Sequence, residues 1–146
     1  MKAVVQRVLG AKLRVDGKIV SEIGKGLVVF LGVGKGDGIK DGDYFIKKLP
    51  TLRIFEDENE KINRSVIDEK GEILLVSQFT LFADTSHGNR PSFLEAESPD
   101  KADELYKYVG AGLEKVVPVK YGIFGADMKI EQINDGPFTV VMDSKW

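Results

Sequence analysis

Cysteine is absent from this chain of 146 residues, and histidine occurs only once. Without cysteine the monomer has no disulfide, no thiolate nucleophile and no cysteine-based zinc site. The single histidine would leave a zinc ion to be held mainly by carboxylates, which is uncommon. These absences exclude several classes of enzyme and predict that the protein binds no metal.

A long apolar run is also missing, since no stretch of the sequence approaches the length of a membrane span. The first residues, Met1–Arg7, become polar too early for a signal peptide. We therefore expect a cytoplasmic protein with no membrane partner. The formal net charge is −2, without the basic excess of proteins that follow a long nucleic-acid backbone. Any contact with nucleic acid should be short and local.

The apolar fraction of 42% and the charged fraction of 30% are ordinary for a folded globular protein. A domain of this length buries about 70% of the surface that its unfolded chain exposes. No internal repeat or low-complexity segment divides the sequence. We therefore expect a single domain over residues 1–146.

Apolar and β-branched residues dominate most of the chain and predict strands. Asp16-Gly17 lies between two such stretches and predicts a two-residue hairpin. Leu27–Leu31 is a continuous apolar run bounded by glycines, as in a strand buried on both faces. The predicted strands are Val4–Val8, Leu13–Val15, Ile19–Ile23, Leu27–Leu31, Ile73–Ala83, Val116–Val119, Met128–Ile133 and Phe138–Met142.

Two helices are predicted among these strands. Asp41 can cap a short helix that runs to about Leu49 and ends before Pro50. A longer amphipathic helix has Ser98 as its N-cap and Pro99 at its first position. Its apolar face consists of Ala102, Leu105, Val109, Leu113 and Val116. The predicted fold class is α+β, with a curved, largely antiparallel, barrel-like sheet, one long helix and one or two short helices.

Glycine occupies positions 32, 34, 36 and 38, directly after the strand that ends at Leu31. This context suggests a phosphate-binding loop, but the residues do not match one. Lys35 is followed by Gly36 instead of serine or threonine, and Asp37 stands where the dinucleotide-binding pattern requires glycine. We interpret the segment as a flexible turn and expect no cofactor.

His87 and Arg90 lie in a polar, loop-like stretch. A Ser/His/Asp triad would have to include His87, the only histidine, but an exposed loop histidine is the better interpretation. Arg90 precedes Pro91 and can present a rigid guanidinium group to a phosphate or a carboxylate. A surface salt bridge is an equally good interpretation of Arg90.

Three polar side chains interrupt an apolar run at Ser77-Gln78-Phe79-Thr80. A buried polar group without a partner costs about 1–3 kcal/mol, so these groups need either partners or a function. Strand alternation would point Ser77 and Phe79 one way and Gln78 and Thr80 the other, so that half of the group could line a site. Satisfaction by neighbouring backbone explains the pattern equally well.

The segment from Asn134 to Thr139 contains Gly136-Pro137 and separates the last two predicted strands. Taken alone it is a good turn. A cis bond before proline costs only about 0.5–1 kcal/mol, so the context of the fold could hold one here.

Together, Ser77-Gln78-Phe79-Thr80 and Asn134-x-Gly136-Pro137-x-Thr139 resemble the paired motifs of the D-aminoacyl-tRNA deacylases. Met1–Arg7, Gly88–Phe93 and Phe124–Met128 are also similar to segments of that family, in the same order. The similarity covers essentially the whole chain, and several motifs in register are far more specific than one.

The resemblance implies a homodimer that acts on the 3′ acceptor end of tRNA carrying a D-amino acid or glycine. Ser77, Gln78, Phe79 and Thr80 would hold the terminal ribose and the ester carbonyl at the catalytic centre. The Gly136-Pro137 loop of one subunit would enter the pocket of the other and exclude an L side chain. The remaining expected substrate-binding residues are Asn134, Thr139, Met128 and Arg90.

The expected chemistry needs little from side chains, because an aminoacyl ester is already activated. Hydrolysis requires a positioned water and donors aimed at the developing oxyanion, which backbone N–H groups near Phe79 could supply. The vicinal 2′-hydroxyl of the substrate would assist, and Thr80 is the rival as nucleophile or water-orienting hydroxyl. Two other functions stay open, namely a non-catalytic module that shelters aminoacyl-tRNA and a hydrolase of small esters.

Overall fold

The computed structural model describes residues 1–146 and contains eight strands and two α-helices. The strands are β1 (Lys2–Val15), β2 (Lys18–Ile23), β3 (Gly26–Gly32), β4 (Phe55–Glu56), β5 (Ile62–Arg64), β6 (Glu72–Ser77), β7 (Val119–Tyr121) and β8 (Lys129–Asp143). The helices are α1 (Ile39–Lys48) and α2 (Pro99–Glu114), and two 3₁₀ turns cover Leu49–Thr51 and Phe79–Phe82. Neither helix combines the length and the apolar character needed to cross a bilayer.

The main sheet is built around β1. Strands β2 and β3 pair with successive halves of β1, β8 pairs with β1 along nearly its whole length, and all three are antiparallel to it. β6 lies parallel to β3, and β7 lies parallel to β6. The hydroxyl of Ser21 on β2 donates a hydrogen bond to the carbonyl of Tyr121 on β7, which brings the sheet close to a closed barrel. The predicted α+β class with a curved, largely antiparallel sheet is confirmed.

The hairpin between β1 and β2 forms at the predicted dipeptide. Asp16 and Gly17 both have positive φ angles, 50° and 77°, as expected of a turn whose twist matches that of the two strands. Val15 pairs with Lys18 across it. Because β1 continues without a break from Lys2 to Val15, the two separate strands predicted there are one.

Two apolar clusters cover the two faces of the sheet. The larger lies between the sheet and the helices, and the smaller lies on the opposite face and includes Val28, Leu74 and Val76. Strand β3 contributes to both, since it lies between β1 and β6, and this confirms the prediction of a buried Leu27–Leu31 strand.

Helix α2 begins at Pro99 after Ser98, as predicted, and four of the five predicted apolar residues are buried: Ala102, Leu105, Val109 and Leu113. The fifth, Val116, lies beyond the end of the helix and is exposed. The strand expected at Val116–Val119 starts later, at Val119.

Helix α1 begins two residues earlier than Asp41. Gly38 is its N-cap, and the carboxylate of Asp41 accepts a hydrogen bond of 2.9 Å from the Gly38 N–H. Asp41 therefore stabilises the first turn from inside the helix. Helix α1 ends at Lys48, and Pro50 lies in the 3₁₀ turn that follows directly.

Candidate functional site

A cavity of about 290 Å³ opens where β6 ends. Ser77, Gln78 and Phe79 form one part of its wall, and the loop that leads into β8, Phe124–Met128, forms another. Most of the remaining wall is apolar and comes from β3 and α2. The structure thus brings Met128 close to the segment Ser77–Phe79, although the two are far apart in sequence.

The polar segment is a turn and not the strand end that the sequence suggests. β6 stops at Ser77, the N–H of Gln78 donates 2.8 Å to the Leu31 carbonyl, and the 3₁₀ turn begins at Phe79. Our prediction of a strand through Ala83, and of alternating faces for residues 77–80, is therefore wrong. Gly34, two residues after β3, makes room for this turn. A Cβ at that position would lie 2.3 Å from the Phe82 ring.

Thr80 lies at the exposed side of this turn. Its hydroxyl accepts a hydrogen bond of 2.6 Å from the Gln78 amide. An amide cannot take up a proton at neutral pH, and no acidic or histidine side chain hydrogen-bonds to Thr80. The geometry therefore provides no base that would turn this hydroxyl into a nucleophile.

Aromatic rings surround the turn and the cavity. Phe79 is 56% exposed and packs edge to face against Phe93, with ring centroids 5.1 Å apart. Tyr106 of α2 lies in the cavity wall, 6.1 Å from the Phe124 ring. Burial, followed by the nearby Asp103 carboxylate, raises the pKa of Tyr106, so the phenol stays protonated and donates 2.7 Å to the Leu75 carbonyl. Sequence reasoning assigned Tyr106 and Phe93 no role at the site.

Met128 reaches the cavity because the opposite residue is glycine. A Cβ at Gly122 would lie 2.6 Å from the Met128 sulfur, closer than real Cβ atoms come. The missing side chain at Gly122 thus leaves the space that the Met128 thioether fills. Thioethers adapt their shape to irregular pockets, which suits a wall that faces a ligand.

The segment 134–139 is a bulge within β8 and not a turn between two strands. Thr139 pairs with Gln6 and Asn134 pairs with Val8, so that six residues of β8 span three of β1. The chain continues in the same direction on both sides, and the predicted strands Met128–Ile133 and Phe138–Met142 are parts of one strand. The Gly136–Pro137 peptide bond is cis.

The bulge lies away from this chain's own cavity. Asn134, Gly136, Pro137 and Thr139 are all exposed, and none of them lines the cavity beside Ser77. The structure therefore separates these four residues from Ser77, Gln78, Phe79 and Met128, which line the cavity of the same chain.

Arg7 holds the bulge from below. It is buried, its Nη1 donates 2.6 Å to the Ile54 carbonyl, and its Nε lies 3.1 Å from the Asp135 carboxylate. Its guanidinium group also stacks 5.0 Å from the Phe138 ring centroid. Sequence reasoning missed this role, although strand alternation places Arg7 on the same face as the buried Ala3 and Val5, where a charge needs a partner.

Amide side chains join the two ends of the bulge. Gln132 Nε2 donates to Gln6 Oε1 and to Asn134 Oδ1, both at 2.7 Å. Gln6 Nε2 donates 3.3 Å to the Thr139 hydroxyl. The side chains of Asn134 and Thr139 thus stabilise the bulge through β1 and the start of β8.

Arg90 lies in an exposed loop closed by two backbone hydrogen bonds between Asp84 and Ser92, of 2.8 and 2.9 Å. It makes no hydrogen bond or ion pair and does not line the cavity. His87 is exposed in the same loop. The packing of Phe93 on Phe79 brings this loop near the turn.

Comparison with known proteins decides the family. The model of the D-Tyr-tRNA(Tyr) deacylase family matches residues 4–143. The chain belongs to this family. It is 56% identical to a D-aminoacyl-tRNA deacylase of Persephonella marina, across 99% of each chain. It is 51% identical to a D-aminoacyl-tRNA deacylase of Syntrophus aciditrophicus, across 99% of this chain and 98% of the relative.

Two solved structures are also similar to this chain. One, described as the c-Myc DNA Unwinding Element Binding Protein, is 41% identical and superposes with a TM-score of 0.93 over 98% of both chains. Another, described as a probable eukaryotic D-amino acid tRNA deacylase, has a TM-score of 0.78 at 18% identity, over 97% of this chain and 98% of the other. The second likeness bears on the fold alone.

Proposed function

We propose that this chain hydrolyses the ester bond of D-aminoacyl-tRNA and of mischarged glycyl-tRNA, releasing the free amino acid and the tRNA. The observation that carries the proposal is the cavity between Ser77–Phe79 and Phe124–Met128, in a chain whose relatives at 56% and 51% identity are D-aminoacyl-tRNA deacylases. The substrate of such an enzyme is formed where translation occurs, so we place the protein in the cytoplasm.

The cavity suits the terminal adenosine of the acceptor end. Its apolar wall, with Met128 and the rings of Tyr106 and Phe124, offers surface against which a base can pack. The polar segment at its edge, Ser77 to Thr80, would then hold the ribose and the ester carbonyl. Arg90, on the neighbouring loop and without a protein partner, can contact a phosphate of the acceptor end.

Hydrolysis follows from backbone donors and the substrate itself. Phe79 and Thr80 open the 3₁₀ turn, where N–H groups have no carbonyl partner within the turn. Aimed at the ester carbonyl, these donors stabilise the oxyanion that forms when water attacks. The vicinal 2′-hydroxyl of the terminal ribose orients or activates the water. Thr80 has no base beside it, and Gln78 holds its hydroxyl in place.

Selectivity comes from a second subunit. The exposed bulge with Gly136 and Pro137 lies away from its own cavity, which suits insertion into the cavity of a partner. Exposed aliphatic side chains on the same two long strands, Leu9, Ile133 and Val141, supply apolar surface for the contact. A specific interface buries about 1,600 Å² in total. Asn134 and Thr139 support the inserted loop.

The inserted main chain discriminates by collision. When the amino group and the ester of the substrate are both held, an L side chain points into the partner's Gly136–Pro137 backbone, whereas a D side chain points away. A rigid wall rejects a substrate far more strongly than a missing contact does. Glycine has no side chain to collide, so glycyl-tRNA is also a substrate.

The test is multiple-turnover deacylation of one tRNA charged with a D-amino acid, its L enantiomer or glycine, with a simple amino-acid ester as a fourth substrate. We expect release of D-amino acid and glycine, and almost no release from the L-charged tRNA. Binding without turnover would instead support a module that shelters aminoacyl-tRNA. Cleavage of the simple ester but not of any charged tRNA would support a small-ester hydrolase.

A further inference from the structure

A second cavity of about 550 Å³ lies beside the first, between α2 and residues 121–124. We call it the α2 cavity. Its polar lining comes from Asp103, Lys107 and Glu114 of α2 and from the hydroxyl of Tyr121. Neither the resemblance to the deacylase family nor the mechanism above assigns it a role.

The α2 cavity adjoins the first cavity, the one beside Ser77, through two shared side chains. Tyr106 and Phe124 line both, so their rings form the partition between the two spaces. The two cavities are therefore close enough for a single-stranded RNA end to place its last nucleoside in the first and its preceding nucleotide in the second. This inference rests on the function proposed above.

The aromatic part of the α2 cavity offers surfaces for a base. The half-buried rings of Tyr121 and Phe124 supply this surface, and the buried Tyr106 ring supports both, with its centroid 6.2 Å from that of Tyr121 and 6.1 Å from that of Phe124. Stacking of a base on such rings is worth about 1–3 kcal/mol per base and does not depend on its identity. Aromatic contact alone would thus hold any nucleotide here.

The polar part of the cavity supplies hydrogen-bonding groups. The Tyr121 hydroxyl donates to Glu114 Oε1, and Glu114 makes no other hydrogen bond or ion pair. Burial, and next the hydrogen bond to Glu114, raises the pKa of Tyr121, so the phenol stays protonated and donates to Glu114. Asp103 Oδ2 pairs with Lys107 at 2.7 Å, while its Oδ1 is buried without a partner.

We propose that the α2 cavity binds the cytidine that precedes the terminal adenosine, with the cytosine N4 amino group donating to Glu114 and the exposed Lys107 close to the connecting phosphate. Carboxylates accept hydrogen bonds from cytosine N4. Uracil has the same shape but presents a carbonyl oxygen at that position, which a carboxylate repels. All tRNAs end in the same CCA sequence, so this contact recognises the acceptor end without selecting among tRNAs.

The first experiment compares D-aminoacyl-tRNA transcripts that end in CCA or CUA. We expect kcat/KM to fall about tenfold or more for CUA, the loss of one well-placed base contact. Amide-linked analogues of the same two ends, which cannot be hydrolysed, give the same comparison as a ratio of Kd values. Equal kcat/KM and equal Kd for the two ends would overturn the proposal.

The second experiment uses Glu114→Gln. A glutamine keeps an oxygen that accepts the Tyr121 hydrogen bond, and its NH₂ group can donate to the O4 of uracil. We expect the preference for CCA over CUA to fall to about equality, which a general loss of stability would not produce. Glu104→Gln, an exposed position of the same helix that lines neither cavity, should keep the wild-type preference.

The outcomes separate this inference from the proposed function. If CCA substrates are not hydrolysed but the amide-linked CCA end binds more tightly than CUA, the proposed hydrolysis fails while the cytidine site stands. If CCA and CUA substrates are both hydrolysed equally well, the hydrolysis stands and the cytidine site fails. A Glu114→Gln protein that retains the full CCA preference also contradicts the assignment of Glu114.

Discussion

The N–H group of Phe79 can be removed while the turn that carries it is kept. Proline is accommodated at the first position of a helical turn, and Gln78, with φ −147° and ψ 85°, lies outside the α region that a following proline disfavours. If this N–H stabilises the oxyanion, Phe79→Pro should lower kcat on D-aminoacyl-tRNA by about 10²–10³-fold. Single-turnover deacylation measures it.

Phe79→Ala is the matched control for that substitution. It removes the exposed ring and its contact with Phe93 but keeps the backbone donor. We expect this variant to show a larger KM with kcat close to that of the wild type. A Phe79→Pro enzyme as active as Phe79→Ala would mean that the oxyanion donor lies elsewhere.

Thr80 is expected to be dispensable for the chemical step. Its hydroxyl has an amide neighbour and no base, so Thr80→Ala should keep substantial activity. A D-aminoacyl-tRNA that ends in 2′-deoxyadenosine should be cleaved very slowly by the wild type, because it lacks the hydroxyl that assists the attack. Rates measured with both substrates and both proteins distinguish the models. An inactive variant together with normal cleavage of the deoxy substrate would identify Thr80 as the nucleophile.

At the level of elements, locally encoded features could be predicted from the sequence. The Asp16-Gly17 hairpin depends on two residues with positive φ, and the start of α2 depends on a serine followed by a proline. Buried β3 is a continuous apolar run. Each signal lies within a few neighbouring residues, and the distant contacts of the fold agree with it.

Features that depend on distant contacts could not be predicted. β6 ends at Ser77 although apolar residues follow, because Phe82 folds back into the space left at Gly34. The bulge of β8 looks like a turn in sequence and is held by Arg7, which lies 128 residues earlier. The Ser77 segment could be singled out as polar within an apolar run, but its place beside Met128 depends on the fold.

The first turn of α1 yields a prediction about pH. Asp41 Oδ1 accepts hydrogen bonds from Ser144 at 2.6 Å and from Lys145 at 2.7 Å, and Oδ2 accepts one from Gly38. Burial alone would raise the pKa of Asp41, but these bonds outweigh it and hold the pKa well below its usual value of 3.8. The carboxylate therefore stabilises the fold above that pH, and its contribution disappears as the pH falls through the lower, folded-state pKa.

Asp41→Asn should be less stable than the wild type at pH 7, and the difference in unfolding free energy should shrink steadily below about pH 4. Asparagine keeps an oxygen for the Gly38 N–H, so the helix cap survives the change. Urea unfolding at several pH values measures the difference, and subtraction cancels the titration of all other groups. A difference that stays constant with pH would show that the charge of Asp41 adds no stability.

For the whole molecule, the separation of the two motifs is the feature with the largest consequence. One chain carries a cavity beside Ser77 and, elsewhere on its surface, an exposed bulge around Gly136. If the bulge acts in the cavity of a partner, every site needs one sound cavity and one sound bulge from different chains. A chain with a damaged cavity and a chain with a damaged bulge can therefore restore one active site when they pair. If both features acted within one chain, such a pair would have no active site.

Two variants test this: Phe79→Pro damages the cavity, and Gly136→Val damages the bulge. Gly136 has a φ of 123°, and a Cβ there would lie 2.9 Å from the Phe138 nitrogen and 3.2 Å from Arg7 Nη2, so a side chain must displace the loop. Co-expressed with different tags and purified through both, the two variants form heterodimers with one sound site of two. We expect these to recover about half of the wild-type D-aminoacyl-tRNA deacylation, while each homodimer stays far below that level. Heterodimers no more active than the homodimers would show that each chain uses its own bulge, and an active monomer in sedimentation would contradict the shared site directly.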